Sequence, residues 1–251
     1  MSTARPLLPT PARPAGVAAK PAVRPSVRPD DRSGFGGLSA AEWRRRLYHT
    51  APALPAALLW VVPHRVPLSP TLRGILLAAC AVLAGLVWRE WRHIRRADDP
   101  LMRARFPAVF GYAGGVMLTL LGFPDRPECG FAVLAILAFG DGAATVFGKL
   151  SAGTPLHAPL PWNRAKSWAG LLAFWLVGGP AAAMYYRGET LNPEAAADPA
   201  AWPAALAVTA PAVLVAGLWE SARSRWNDNV RVALAAAVCV LTAHAVRAGG
   251  F

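Results

Sequence analysis

The chain has 251 residues, 55% of them apolar, and carries 26 Lys and Arg against 14 Asp and Glu for a net charge of +12. A length of this order suits one domain. The basic residues lie between apolar blocks and not on a discrete basic domain, which argues against nucleic acid as their partner and for the Lys/Arg-rich loops of a membrane protein.

Residues 1–38 are rich in Pro, Ala and Arg and lack an apolar run. They read as a disordered basic tail, inert or resting on anionic lipid, and not as a signal peptide. Residues 39–251 form the second unit, an all-α transmembrane domain. Its apolar blocks approach the roughly 20 residues that cross a bilayer, so lipid can cover them in place of a protein core. Seven spans are expected, near 50–64, 71–88, 107–124, 130–148, 168–186, 202–219 and 232–246.

Alternate loops differ sharply in charge. Nine Lys and Arg lie in the tail through Arg46, six follow the second span, three the fourth and three the sixth, which makes 21 on one side against five on the other. Basic loops stay in the cytoplasm. The expectation is a multi-pass protein of the cell's inner membrane with a cytoplasmic N-terminus and its polar residues on the cytoplasmic face. The cysteines, Cys80, Cys129 and Cys239, show neither a CxxC nor a Cys/His spacing. They are expected to be free thiols, with no zinc site.

Three segments on the basic side carry residues capable of chemistry. The first, Glu42 to His49, places Glu42, Arg45 or Arg46, and His49 on one helix face. The second begins with Gly140-Asp141-Gly142. A carboxylate inside an apolar helix costs several kcal/mol unless it is paired or holds a metal, so Asp141 is a functional candidate. Gly140, Gly142 and Gly148 admit close backbone or ligand approach. The following loop offers Asn163, Arg164 and Lys166, then Ser167 and Gly170. Its cations and donors suit phosphate oxygens. The third segment runs from Glu220 to Asp228 and Asn229, where Asp228 could also serve as a helix cap.

Together these bring Asp141, Glu220, Asp228 and several cations to one end of a bundle. Carboxylates can hold Mg²⁺, which bridges nucleotide phosphates, while Lys and Arg neutralise charge on a transferred phosphoryl group. Neither a GxxxxGK[ST] loop nor a strand-preceded GxGxxG is present, so a nucleotide would bind on the loops of the bundle itself.

In these residues the chain resembles the phytol kinase and farnesol kinase family, part of a larger group with dolichol kinase and CTP-dependent diacylglycerol kinase. The matching stretches are Glu42 to His49, Gly140-Asp141-Gly142 with Ala144 and Gly148, Leu160-Pro161 with Asn163, Lys166-Ser167 with Ala169-Gly170, and Glu220 with Asp228-Asn229. They span most of residues 40–245. Two positions depart from the pattern: Asn227 stands where a second Asp is common, and no Pro follows the Asp228-Asn229 pair.

The resemblance implies phosphoryl transfer from CTP, or another nucleoside triphosphate, to an isoprenoid alcohol such as phytol, farnesol or geranylgeraniol, assisted by Mg²⁺ or another divalent ion. It implies that Asp141 and Asp228 hold the metal–nucleotide complex, that Glu220 ligates metal or orients Asp228, and that Lys166 and Arg164 contact phosphates. Gly140, Gly142, Gly148, Asn163, Ser167 and Gly170 complete the nucleotide site. His49, supported by Glu42, accepts the hydroxyl proton. The partners are then the lipid alcohol, the nucleotide and membrane lipids. A phosphatidate cytidylyltransferase-like enzyme is the nearest alternative, but no His-Gly-Gly signature occurs. A transporter fits an intramembrane Asp141, yet no inverted repeat accompanies it.

Overall fold

The computed structural model describes residues 38–94, 105–194 and 199–248. Residues 1–37 of the expected tail, and Arg95, Arg96 and Arg103 of the basic loop after the second expected span, lie outside the described residues.

Helix α1 (Ala40–Thr50) begins with a capping box: Ser39 accepts from the Glu42 amide, and the Glu42 carboxylate accepts from the Ser39 amide. Ala51 and Pro52 stay in the right-handed helical region, and a short α2 (Ala53–Leu58) follows. Pro52 has no N–H to continue the ladder. The apolar stretch expected to cross as one helix over 50–64 is therefore the tail of α1, a proline break and α2, with residues 60–69 forming a connection.

Next come α3 (Pro70–Ile94) and α4 (Arg105–Gly122). A single rod then comprises α5 (Pro127–Ala135), a π-helical turn (Ile136–Asp141) and α6 (Gly142–Leu150). A two-stranded antiparallel hairpin, β1 (Pro159–Leu160) and β2 (Asn163–Ser167), leads into α7 (Trp168–Thr190), followed by α8 (Trp202–Ser221) and α9 (Asp228–Ala248).

Among the described residues, five helical rods are long and apolar enough to cross a membrane: Pro70–His93, Pro127–Leu150, Trp168–Thr190, Trp202–Ser221 and Asp228–Ala248. The Pro127–Leu150 rod is the most buried and packs against α4, α7, α8 and α9. Phe131, Ile136, Leu137, Phe174, Val208 and Val232 fill the space around it. By contrast α3 is peripheral, with its apolar stretch unburied. It is tied to α4 at one end, where the Arg105 guanidinium stacks 3.5 Å over the Trp88 ring and donates to the Trp88 carbonyl.

Chain direction sets the polar ends. The π turn and α6, the hairpin before α7, the end of α8 and the start of α9 share one end of the bundle. The start of α5 and the ends of α7 and α9 share the other.

Candidate functional site

Asp141 closes the π-helical turn. One extra residue in the turn shifts the phase of the side chains that follow, a distortion frequent at functional sites. The carboxylate is buried and meets α1. Arg46 Nη1 donates to Asp141 Oδ2 at 3.2 Å and approaches its carbonyl at 3.4 Å. His49 Nε2 lies 3.1 Å from the same Oδ2, a close polar contact whose angle is not that of an aligned hydrogen bond. The Tyr112 hydroxyl donates to the His49 carbonyl at 2.8 Å, and its ring packs edge-on against the imidazole. Glu42, on the same helix, pairs with Lys149 instead of His49. The face of α1 that the spacing brings together thus divides: Arg46 and His49 serve Asp141, and Glu42 anchors the end of α6.

The second half of the site is built on β2. Strand alternation turns Asn163 inward and leaves Arg164 exposed. Asn163 donates to the Ser221 carbonyl at 2.9 Å and accepts from the Ala165 amide, which fixes the hairpin to the end of α8. Lys166 contacts Glu220 and lies 3.4 Å from Asp228 Oδ2. Burial works against the Lys166 charge, but the carboxylates of Glu220, Asp228 and Asp141 outweigh it and hold the ammonium above the ordinary lysine value. Arg231 Nη2 donates to Asp228 Oδ1 at 2.7 Å. Asn227 caps α9 by accepting from the Asn229 amide at 3.0 Å. The Asn227 departure from the family pattern is thus filled by a capping residue.

Two cavities border the start of α9. One, of about 290 Å³, is apolar and lies among α1, α2, α3 and α4, lined by Leu76, Cys80, Leu83, Ala113, Val116 and Met117. Arg45, Tyr48, His49, Tyr112 and Asn229 are its polar wall. The other, of about 550 Å³, is open and cationic, lined by Lys166, Arg223, Arg225, Asn163 and Asp228. Asp228 borders the cationic cavity and its neighbour Asn229 borders the apolar one.

The other expected site residues have structural tasks. Ser167 caps α7 by accepting from the Gly170 amide at 3.2 Å. A Cβ on Gly170 would stand 2.9 Å from the Ala144 carbonyl oxygen, one on Gly148 3.4 Å from Ser167 Oγ, and one on Gly140 3.0 Å from the Phe174 ring. Gly170 and Gly140 thus permit close packing, the contact at Gly148 would be an ordinary one, and nothing lies within 4 Å of a Cβ at Gly142. Arg164 does not line the cationic cavity; Arg223 and Arg225 take that place. Sequence reasoning counted them only as loop charge. The three carboxylates Asp141, Glu220 and Asp228 do not gather as one metal-sized group among the described residues. Lys166 stands between the last two.

Comparison with family models, curated proteins and solved structures returns no match to this chain. Its class follows from the architecture: five apolar helices of membrane-crossing length, consistent with a multi-pass membrane protein.

Proposed function

We propose that the protein is an integral-membrane kinase that transfers a phosphoryl group from CTP, or another nucleoside triphosphate, to an isoprenoid alcohol such as phytol, farnesol or geranylgeraniol. The observation that carries this reading is that two cavities of opposite character border the adjacent residues Asp228 and Asn229. A cationic, solvent-open cavity suits a polyphosphate, and an apolar cavity walled by a peripheral helix suits a lipid chain entering from the bilayer. A hydroxyl at the end of that chain would lie beside His49.

In this reading Lys166, Arg223 and Arg225 bind the phosphates and neutralise charge on the γ-phosphoryl group. Glu220 keeps Lys166 in place. Asp141 orients His49 through their 3.1 Å contact, and His49 takes the hydroxyl proton as the alcohol oxygen bonds to phosphorus. The bond from phosphorus to the nucleoside diphosphate breaks, and CDP leaves with those electrons. Mg²⁺ is commonly held by one or two carboxylates plus phosphate oxygens. Asp228, with its side chain 45% exposed at the cationic cavity, fits that demand and would hold the ion, which would neutralise phosphate charge; Asp141, buried against Arg46 and His49, would act through His49. Seven crossings follow if the kinked α1–α2 pair and α4 accompany the five long rods. The site then faces the cytoplasm from the inner membrane, as the loop charges favour.

Membranes containing the protein, given γ-labelled CTP or ATP and a panel of lipid alcohols, test the proposal. Label in an extractable lipid phosphate with release of nucleoside diphosphate is expected. Release of pyrophosphate instead would support a cytidylyltransferase, and label in no lipid would overturn the reading.

A further inference from the structure

At the end of the bundle away from Asp141, three side chains meet that the phosphoryl-transfer reading does not use. Glu128 and Cys129 lie in the first turn of α5, and His244 lies near the end of α9. All three are buried, and a carboxylate oxygen, the thiol sulfur and an imidazole nitrogen lie within 4.8 Å of one another. Glu128 Oε1 is 3.8 Å from His244 Nδ1, too far for a hydrogen bond. Nδ1 is instead 2.8 Å from the Tyr186 hydroxyl. Nε2 is buried without a hydrogen-bond partner, in a residue only 8% exposed. A buried polar atom without a partner carries an uncompensated desolvation penalty. Tyr186 thus orients an imidazole whose Nε2 has no hydrogen-bond partner, as an outer partner orients a metal-ligating histidine.

We infer that Glu128, Cys129 and His244 form a binding site for a divalent transition-metal ion, with zinc the best match. Sulfur, nitrogen and oxygen donors together suit zinc and exclude Mg²⁺ or Ca²⁺, which take oxygen ligands. On binding, the metal–sulfur bond forms, the Cys129 S–H bond breaks and its proton leaves to solvent. Water completes the coordination. Tyr186, on α7, is a positioning residue that fixes the His244 ring. The site joins the start of α5 to the end of α9. The same two rods carry Asp141 and Asp228, about 20 and 24 Å away at 1.5 Å per residue. A metal there braces the two helices that present those carboxylates. No short motif announces it, because Glu128 and Cys129 are neighbours while His244 comes from the last helix.

The full chain, purified in detergent and stripped with a chelator, is titrated with Co²⁺ as a zinc surrogate. The expected result is one Co²⁺ per chain, a near-ultraviolet thiolate-to-cobalt band, and its loss when one equivalent of Zn²⁺ is added. Cys129→Ser removes the band and Cys239→Ser leaves it. Tyr186→Phe weakens Co²⁺ binding by about tenfold or more, as loss of an outer hydrogen bond does, and Glu128→Gln weakens it too. Absence of the band in folded wild-type protein overturns the proposal, as does the same band in Cys129→Ser. If Cys129→Ser does not fold, unchanged affinity in both Tyr186→Phe and Glu128→Gln overturns it.

Discussion

His49 Nε2 stands 3.1 Å from Asp141 Oδ2, and the same imidazole forms part of the wall of the apolar cavity. One side chain therefore touches both the buried carboxylate and the apolar cavity. A base placed there contributes about 10²–10⁴-fold in rate. His49→Gln is expected to lower kcat by that order and to leave the KM for nucleotide nearly unchanged. Equal loss in kcat and nucleotide binding would assign His49 to the phosphates instead.

Arg46 is the only full-time cation on Asp141 in direct contact among the described residues. Removing one partner of a buried pair leaves an uncompensated charge and costs about 3–5 kcal/mol. Arg46→Met is expected to lower thermal stability in detergent accordingly, and Arg46→Met with Asp141→Asn to recover part of the loss. A double variant no more stable than the single one would contradict the pairing.

Ala113 lines the apolar cavity from α4. Ala113→Phe fills space that a lipid chain would use. Each methylene excluded from an apolar pocket is worth about 1–3 kcal/mol, so the KM for a long-chain alcohol is expected to rise at least roughly tenfold. The KM for CTP, measured in the same assay, stays constant. Unchanged alcohol kinetics would place the chain elsewhere.

Gly170 and Gly142 are expected to respond in opposite directions. A Cβ at Gly170 meets the Ala144 carbonyl oxygen at 2.9 Å, whereas one at Gly142 meets nothing within 4 Å. Gly170→Ala forces two helices apart and costs about 1–3 kcal/mol. Gly142→Ala gains about 0.5–1 kcal/mol of helix propensity. Thermal unfolding of both variants reads the difference, and equal shifts would contradict the packing.

These positions divide what was legible from what was not. The block pattern of apolar residues was enough to locate the five long rods, because a bilayer-length run is a local property. Lys166, Glu220 and Asp228 could be grouped because each stands at or beside a helix end on the basic side. The partner of Asp141 could not be read, since Arg46 lies 95 positions earlier and helix spacing alone also offered Arg45. The π turn has no spacing signature and rotates Asp141 toward α1. Glu42 and His49 share a face of α1, but the neighbouring helix supplies nearer partners to each. The break at Pro52 was visible as a residue, yet the apolar run around it outweighed it.

The connection before α3 supplies a pH response. His64 Nε2 lies 2.7 Å from Glu189 Oε1. That hydrogen bond, aided by the Val62 carbonyl, outweighs burial and holds the imidazole above its ordinary value of 6.5. The folded state thus keeps a proton that the unfolded chain releases. Its stabilisation is complete below 6.5 and is lost as pH rises through the raised value. Thermal stability is expected to fall over that neutral-to-alkaline window, less steeply in His64→Gln. Identical slopes would contradict the assignment.

The central claim is phosphoryl transfer between the two cavities, and γ-labelled CTP with a prenyl alcohol tests it most directly in membranes holding equal amounts of wild-type and Asp141→Asn protein. The account predicts label in an organic-extractable prenyl phosphate for the wild type and a loss of about 10²-fold or more in the variant. Equal labelling by the two proteins, or none by the wild type with any alcohol, would contradict it.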